Sequence, residues 1–137
     1  MSRPSRFVFA VVVSAISLCG QDWVPTRIVA ITEYPTLAWI AHFTGDVVIK
    51  CLLNRDGSVA SAEPVSGPGL LKDQARRNAM LWRFRRASRK RTNNYSFTLT
   101  YRYKLEGDPE DGRHASFAVD LPGLVDIVAH LPPPMID

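Results

Sequence analysis

Alternating apolar and polar positions mark the extended stretches of this chain. Residues 46–53 and residues 95–105 each place their apolar side chains on one side of a strand, since successive strand side chains point to opposite faces. The apolar positions of the first stretch are Val47, Ile49, Cys51 and Leu53. Those of the second are Tyr95, Phe97, Leu99, Tyr101, Tyr103 and Leu105. The intervening positions of the second stretch are polar, which predicts a sheet that is covered on one face only.

Turn residues connect these strands to weaker ones. Asp56-Gly57 predicts a tight turn, because glycine takes the positive φ angle that other residues resist. Ser58 to Val65 then returns as a strand. An acidic loop at 106–113 follows the long strand, and alternation resumes between Phe117 and Ala129 on either side of a Pro-Gly turn. This last pattern predicts one or two further strands.

Helical spacing appears at two places. Tyr34-Pro35 favours an extended residue followed by a first helical turn, so Thr36 to Phe43 is predicted as a short helix that Gly45 ends. A second apolar stripe at helical spacing consists of Leu71, Ala75, Ala79 and Trp82. Its small alanines allow a close approach to a sheet, and Trp82 and Phe84 supply large buried anchors at the helix end.

The first twenty residues have the pattern of a secretory signal. Arg3 and Arg6 precede an apolar run from Phe7 to Leu18, which is short for a membrane-spanning helix. Residues 1–20 are therefore predicted to be a signal peptide, with a short anchor as the alternative, and 21–33 to be a lead-in. Cys19 suggests a lipid-modified N-terminus as a further alternative, although Leu18 stands where such signals need a small residue.

Charge is concentrated in one part of this basic chain, whose 137 residues carry a formal net charge of +4. Nine residues between Lys72 and Arg91 are lysine or arginine. Such a segment can bind phosphates or an acidic membrane surface. The alternative is a solvated helix face followed by a charged loop, because no aromatic platform or recognition motif accompanies the charges.

Residue types that carry catalysis are present but scattered. The three histidines, His42, His114 and His130, lie in unrelated segments and share no motif with Cys51 or with a pair of carboxylates. The sequence therefore predicts no enzyme, no metal site and no cofactor. Cys51 alternates with apolar neighbours, so it is interpreted as a small buried hydrophobic residue rather than a reactive thiol.

A set of short motifs occurs in a fixed order across residues 34–105. The marks are Tyr34-Pro35, Gly45-x-Val47, Asp56-Gly57-x-Val59, Ala75, Ala79, Trp82-Arg83-Phe84 and the alternating final strand. In this order and at these spacings they resemble the C-terminal domain of TonB-family energy transducers. Each mark alone is weak, and the resemblance covers residues 34–105 of the 137.

The resemblance implies an α+β fold with a small antiparallel sheet of about three strands, here with one or two C-terminal additions, and two helices packed on one face. It also implies a periplasmic protein-binding domain, to whose exposed sheet edge a short segment of an outer-membrane transporter adds as a strand. The family's edge strand is its last. The expected partner-binding residues are therefore Tyr95, Phe97, Leu99, Tyr101, Tyr103 and Leu105. The same edge would allow pairing with a second copy.

Three features depart from the family pattern. The membrane anchor and long Pro-rich spacer of a transducer are not evident, and Arg85-Arg86 follow the Trp-Arg-Phe motif where the family often has proline. Residues 106–137 form an extension without a counterpart, and a strand from it would cover the edge that a partner uses. The resemblance thus supports the domain more directly than energy transduction.

The predicted function is that of an exported module, periplasmic or associated with the inner membrane, that docks an extended segment of a transporter or another envelope protein. This role links it to transmembrane transport. A structural accessory of an envelope complex is an alternative that the sequence does not separate from docking. A small-molecule substrate is not expected, and export argues against nucleic acid as the partner.

Overall fold

The structure, a computed structural model, describes residues 22–89, 91–120 and 123–134. Its elements in chain order are β1 (Trp23–Arg27), α1 (Thr36–Ile40), β2 (Gly45–Leu53), β3 (Val59–Ser66), α2 (Gly69–Ala79), β4 (Arg83–Arg86), β5 (Ser96–Leu105), β6 (Ala115–Asp120) and β7 (Leu124–Ala129). The predicted signal segment and Cys19 lie outside the described residues. Within those residues, no helix has the length and apolar character needed to cross a bilayer.

Two sheets organise the fold. A five-stranded sheet has the order β3-β2-β5-β7-β6, and β1 and β4 form a separate two-stranded ribbon. The predicted α+β class is confirmed, but the strands are more numerous than the prediction allowed. The sheet is also mixed rather than antiparallel, because β7 runs parallel to β5.

The side chains of β7 explain its place inside the sheet. Val125, Ile127 and Ala129 are buried, and the residues between them are half-buried. In β6, by contrast, every second residue is exposed. The more apolar strand therefore occupies the position with a neighbour on each side, while β6 takes the edge. The chain passes from β5 to the outer position first and returns through β7, which makes β7 parallel to β5.

Helix α2 packs on the sheet through small residues. Leu71, Ala75 and Ala79 have no exposed surface, as the predicted apolar stripe requires. The helix ends at Ala79, so Trp82 lies in the connection and Phe84 in β4, rather than at the end of the helix. Both are buried, and the Phe84 ring lies 4.7 Å from the Phe97 ring of β5.

Helix α1 is shorter than its apolar pattern predicts. It ends at Ile40, and His42 has a φ of 61°. The Phe43 N–H donates to Ala38 O at 2.8 Å and the His42 N–H donates to Trp39 O at 3.2 Å. These two bonds form a Schellman motif, which satisfies the last helical carbonyls and stops the helix before Phe43.

The lead-in and the extension both join this architecture. The lead-in forms β1, antiparallel to β4, and its Trp23 is 1% exposed and donates from Nε1 to Asn94 O at 2.7 Å. In the extension, Arg113 Nη1 donates to Tyr34 O at 2.7 Å. Trp39 Nε1 of α1 donates to His130 O at 2.8 Å. Side chains and backbone from both flanks therefore complete the packing around residues 34–105.

Candidate partner-binding edge

The strand expected to bind a partner lies in the middle of the sheet. Strand β5 pairs with β2 on one side and with β7 on the other. Phe97, Leu99, Tyr101 and Tyr103 are at most 3% exposed and belong to the core, while Tyr95 and Leu105 are half-buried. The open edge expected at this strand is therefore covered, and the side chains expected to bind face the protein interior.

Backbone hydrogen bonds show how completely β7 covers β5. The N–H of Thr100 donates to Gly123 O at 2.8 Å, and the N–H of Glu106 donates to Ala129 O at 2.9 Å, at the two ends of the shared ladder. A Cβ on Gly123 would lie 2.5 Å from Thr98 O. Glycine is thus required for β7 to enter so close to β5.

The outer edge of β6 presents backbone N–H and C=O groups to an added strand. The family resemblance implied such an open edge at β5. The N–H of Ala115 points away from β7 and donates to Thr32 O at 2.9 Å. Because backbone groups alternate along an antiparallel strand, the N–H and C=O groups of Phe117 and Val119 point the same way. Both side chains are half-buried against the core, which holds the strand in place. Among the strands of the described residues, only β7 pairs with β6, and it does so on the other side.

The opposite edge of the sheet is less suited to strand addition. Strand β3 contains Pro64, which has no N–H to donate. Its pairing with β2 also shifts register at two points, between Val48 and Ile49 and between Leu52 and Leu53. Proline and bulges are two ways in which proteins protect an edge strand from pairing. The favourable edge is therefore that of β6.

A buried amide joins three parts of the fold. Asn78 of α2 is 6% exposed, and its Oδ1 accepts from Trp82 Nε1 at 2.9 Å and from Tyr101 Oη at 2.8 Å. Its Nδ2 donates to Val29 O of the lead-in at 2.8 Å. One turn earlier, Gln74 accepts from Tyr103 Oη at 2.9 Å and donates to Glu33 O at 2.8 Å.

Burial keeps the two tyrosines that donate to these amides neutral. Burial raises the pKa values of the Tyr101 and Tyr103 hydroxyls above the ordinary value. A neutral hydroxyl can donate to an amide oxygen, whereas a phenolate cannot. Sequence analysis did not identify this polar row, because Gln74 and Asn78 match an ordinary polar helix face and their partners are distant in sequence.

The remaining motif residues have structural positions. Tyr34, Val47 and Val59 are buried with the alanines and aromatic residues described above. Gly57 has a φ of 89°, and a Cβ there would overlap the carbonyl oxygen of Phe84. Asp56 accepts from the Ser58 N–H at 2.9 Å and from Ser58 Oγ at 2.6 Å, and these bonds lower the pKa of its carboxyl group. Pro35 precedes α1, and Gly45 begins β2.

The basic segment divides into two parts. In α2, Asp73 lies 3.0 Å from both Arg76 and Arg77. In the ribbon, Arg86 stacks against Trp23 and Tyr95, with its Cζ 5.9 Å from each ring centroid. Arg83 and Arg85 of the same strand are exposed. Lys90 lies outside the described residues.

Cys51 has the surroundings of a core side chain, as predicted. It has no exposed surface, and burial raises its pKa to about 12. We expect its thiol to react with iodoacetamide at mildly alkaline pH only after unfolding, since the thiolate is the nucleophile. The measurement is labelling of a Cys19→Ser variant with and without urea. Fast labelling of the folded chain would contradict the burial of Cys51.

The pKa shift also gives a sign for stability against pH. A raised pKa means that the folded state holds the Cys51 proton more tightly, so the contribution of Cys51 to stability is complete below the ordinary value of 9.0 and is lost as the pH rises towards about 12.

As for metal sites, residues 22–89, 91–120 and 123–134 contain no group of three or more His, Cys, Asp or Glu side chains arranged to hold an ion.

Comparison with known proteins agrees with the motifs. The profile of the family described as Gram-negative bacterial TonB protein C-terminal matches residues 32–105. The comparisons with curated proteins and with solved structures found no match. Domains of the matching family are protein-interaction domains of the bacterial envelope. Because the match covers more than half of the 137 residues, this chain belongs to the TonB C-terminal family.

Proposed function

We propose that this protein is a periplasmic binding module that takes up an extended segment of an outer-membrane transporter, or of another envelope protein, as an added strand. The added strand pairs with the outer edge of β6. The observation that carries this proposal is the orientation of the Phe117 and Val119 backbone groups, which continue the row that Ala115 begins with its bond to Thr32. Such main-chain pairing gives affinity without catalytic side chains.

Docking at β6 requires less rearrangement than docking at β5. A partner that paired with β5 would have to displace β7 and expose Val125 and Ile127, which are fully buried. Exposing a buried aliphatic side chain costs about 1.5–3 kcal/mol. Docking at β6 leaves both residues in place. The extension thus moves the available edge outward by two strands.

The test is a proline substitution that removes one outward-pointing donor. We expect Val119→Pro to weaken binding of synthetic N-terminal transporter peptides at least tenfold, because proline lacks the N–H and its ring obstructs pairing. Calorimetric titration of the full chain measures the change. Val119→Ala is the matched control, since it removes the half-buried side chain but keeps the N–H, and it should bind within about threefold of the parent protein.

Hydrogen exchange separates the remaining outcomes. Added protection at Phe117 and Val119 on peptide binding supports docking at β6. Loss of protection in β7 together with unchanged affinity of Val119→Pro would instead place the peptide on β5 and overturn the proposal. Failure of every transporter peptide to bind would leave the structural accessory as the better account. Self-association that Val119→Pro abolishes would identify a second copy as the occupant.

A further inference from the structure

The β1–β4 ribbon presents a basic face on which strand pairing brings Arg27 next to arginines that are distant from it in sequence. Phe84 points inward, so Arg83 and Arg85 on either side of it point outward. Arg27 of β1 pairs directly with Arg83, and directly paired residues share a face. Arg27, Arg83 and Arg85 are all exposed. The ribbon therefore carries three guanidinium groups on one face, one of them from outside the basic segment.

Folding alone does not account for these charges. Like charges placed opposite each other in a ribbon are destabilising. Asp56 lies 3.8 Å from Arg83, but both side chains are about half-exposed or more, so this contact contributes little. Arg85 donates from Nη1 to Arg86 O at 3.1 Å, which orders the side chain without neutralising it. The positive face thus remains available to an external anion.

Two large apolar side chains that lie within two residues of these arginines in sequence are exposed. Ile28 follows Arg27 at the end of β1 and is 41% exposed. Leu81, which is 51% exposed, lies in the connection between α2 and β4, two residues before Arg83. Arginines beside exposed aliphatic side chains suit the interface of an anionic bilayer, where phosphates and acyl chains lie close together. A nucleic-acid backbone offers phosphates but no apolar partner.

We propose that the outer face of the β1–β4 ribbon binds the surface of an anionic phospholipid membrane. Arg27, Arg83 and Arg85 contact the headgroup phosphates, and Ile28 and Leu81 enter the boundary with the acyl chains. Arg86 does not belong to this membrane-binding set, because its guanidinium group packs against the rings of Trp23 and Tyr95. This surface is separate from the β6 edge, so the two proposals stand or fall independently.

The test is co-sedimentation of the full chain with vesicles of phosphatidylcholine alone or mixed in equal parts with phosphatidylglycerol. We expect binding that requires phosphatidylglycerol and weakens as salt screens the charges. Each arginine near such a surface contributes about fivefold in affinity. The triple variant Arg27→Gln, Arg83→Gln, Arg85→Gln should therefore bind about 100-fold more weakly.

The matched control removes equal charge from the opposite side of the molecule. Lys50→Gln, Arg102→Gln, Lys104→Gln changes the face of the five-stranded sheet that lies away from α2 and should bind within about threefold of the parent protein. Both triple variants keep the same N-terminal segment with Arg3 and Arg6, so its attraction to anionic lipid is the same in both. Vesicles of phosphatidylcholine alone measure the binding that does not depend on lipid charge. Thermal unfolding confirms that each variant is folded.

Three results would overturn the proposal. An equal loss in both triple variants would show that net charge, not the ribbon, drives binding. Tighter binding to duplex DNA than to the mixed vesicles would make the ribbon a nucleic-acid surface. Absence of binding to phosphatidylglycerol vesicles at low salt would exclude the membrane role. Conversely, if Leu81→Ser selectively reduces the binding that survives moderate salt, the apolar contribution is supported.

Discussion

Replacing Asn78 with alanine is expected to lower the free energy of unfolding by about 3–5 kcal/mol, since each buried polar group left without a partner costs roughly 1–3 kcal/mol. The substitution removes the acceptor of Trp82 Nε1 and Tyr101 Oη and the donor to Val29 O. Three segments distant in the chain therefore lose their common hydrogen-bonding partner. Urea denaturation measures the effect, with the dependence of the unfolding free energy on urea concentration fitted separately for each variant.

Controls on the same helix sharpen this prediction. Arg77→Ala lies on an exposed part of α2, where the ion pair with Asp73 contributes little, and it should change stability by less than about 0.5 kcal/mol. In a Tyr101→Phe background, Asn78→Ala should cost about 1 kcal/mol less than in the parent protein, because one of the groups it would leave unpaired is already absent. A cost below about 1 kcal/mol in the parent protein would mean that water replaces the amide.

The second large effect concerns the extension. Ile127→Ala is expected to destabilise the whole domain by about 2–5 kcal/mol, because it leaves a cavity beneath a buried strand. Ile127 has no exposed surface and pairs in register with Tyr103 of β5. The size of the loss should be similar to that of Ile49→Ala in β2, which lies inside the family region and is equally buried.

The comparison tests whether the extension and the family region unfold together. Val128→Ala, on the opposite face of the same strand, is the control and should cost clearly less, since Val128 is only half-buried. Two unfolding transitions, with Ile127→Ala affecting only the weaker one, would contradict a single cooperative unit. Coincident fluorescence and circular dichroism transitions would support it.

Sequence patterns predicted which face of each strand or helix is buried better than they predicted which strands pair with each other. Alternation in β2 and β5 identified the buried side chains correctly, and the spacing of Leu71, Ala75 and Ala79 identified the buried side of α2. Periodicity depends on each strand or helix alone, and therefore survives without tertiary information. The family assignment also followed from these local marks and is confirmed by the match over residues 32–105.

What the patterns missed depends on contacts between distant segments. Strand β4 is a short basic stretch without a clear apolar alternation, and its pairing with β1 makes it a strand. The order β5-β7-β6 is likewise a choice between neighbours that alternation cannot express. Asn78 was overlooked for a related reason, since a polar residue on a helix is read as solvent-facing unless its buried partners are known.

The central position of β5 has a consequence for the timing of folding. Its two neighbours come from opposite directions along the chain, β2 before it and β7 after it. Until synthesis has passed Ala129, β5 lacks its hydrogen bonds to β7 on one side, and the core lacks the apolar side chains of β7. Long-range pairing of this kind slows folding. A chain emerging from the ribosome therefore completes this sheet late in synthesis. A protein that binds unfolded chains can act on it before that point.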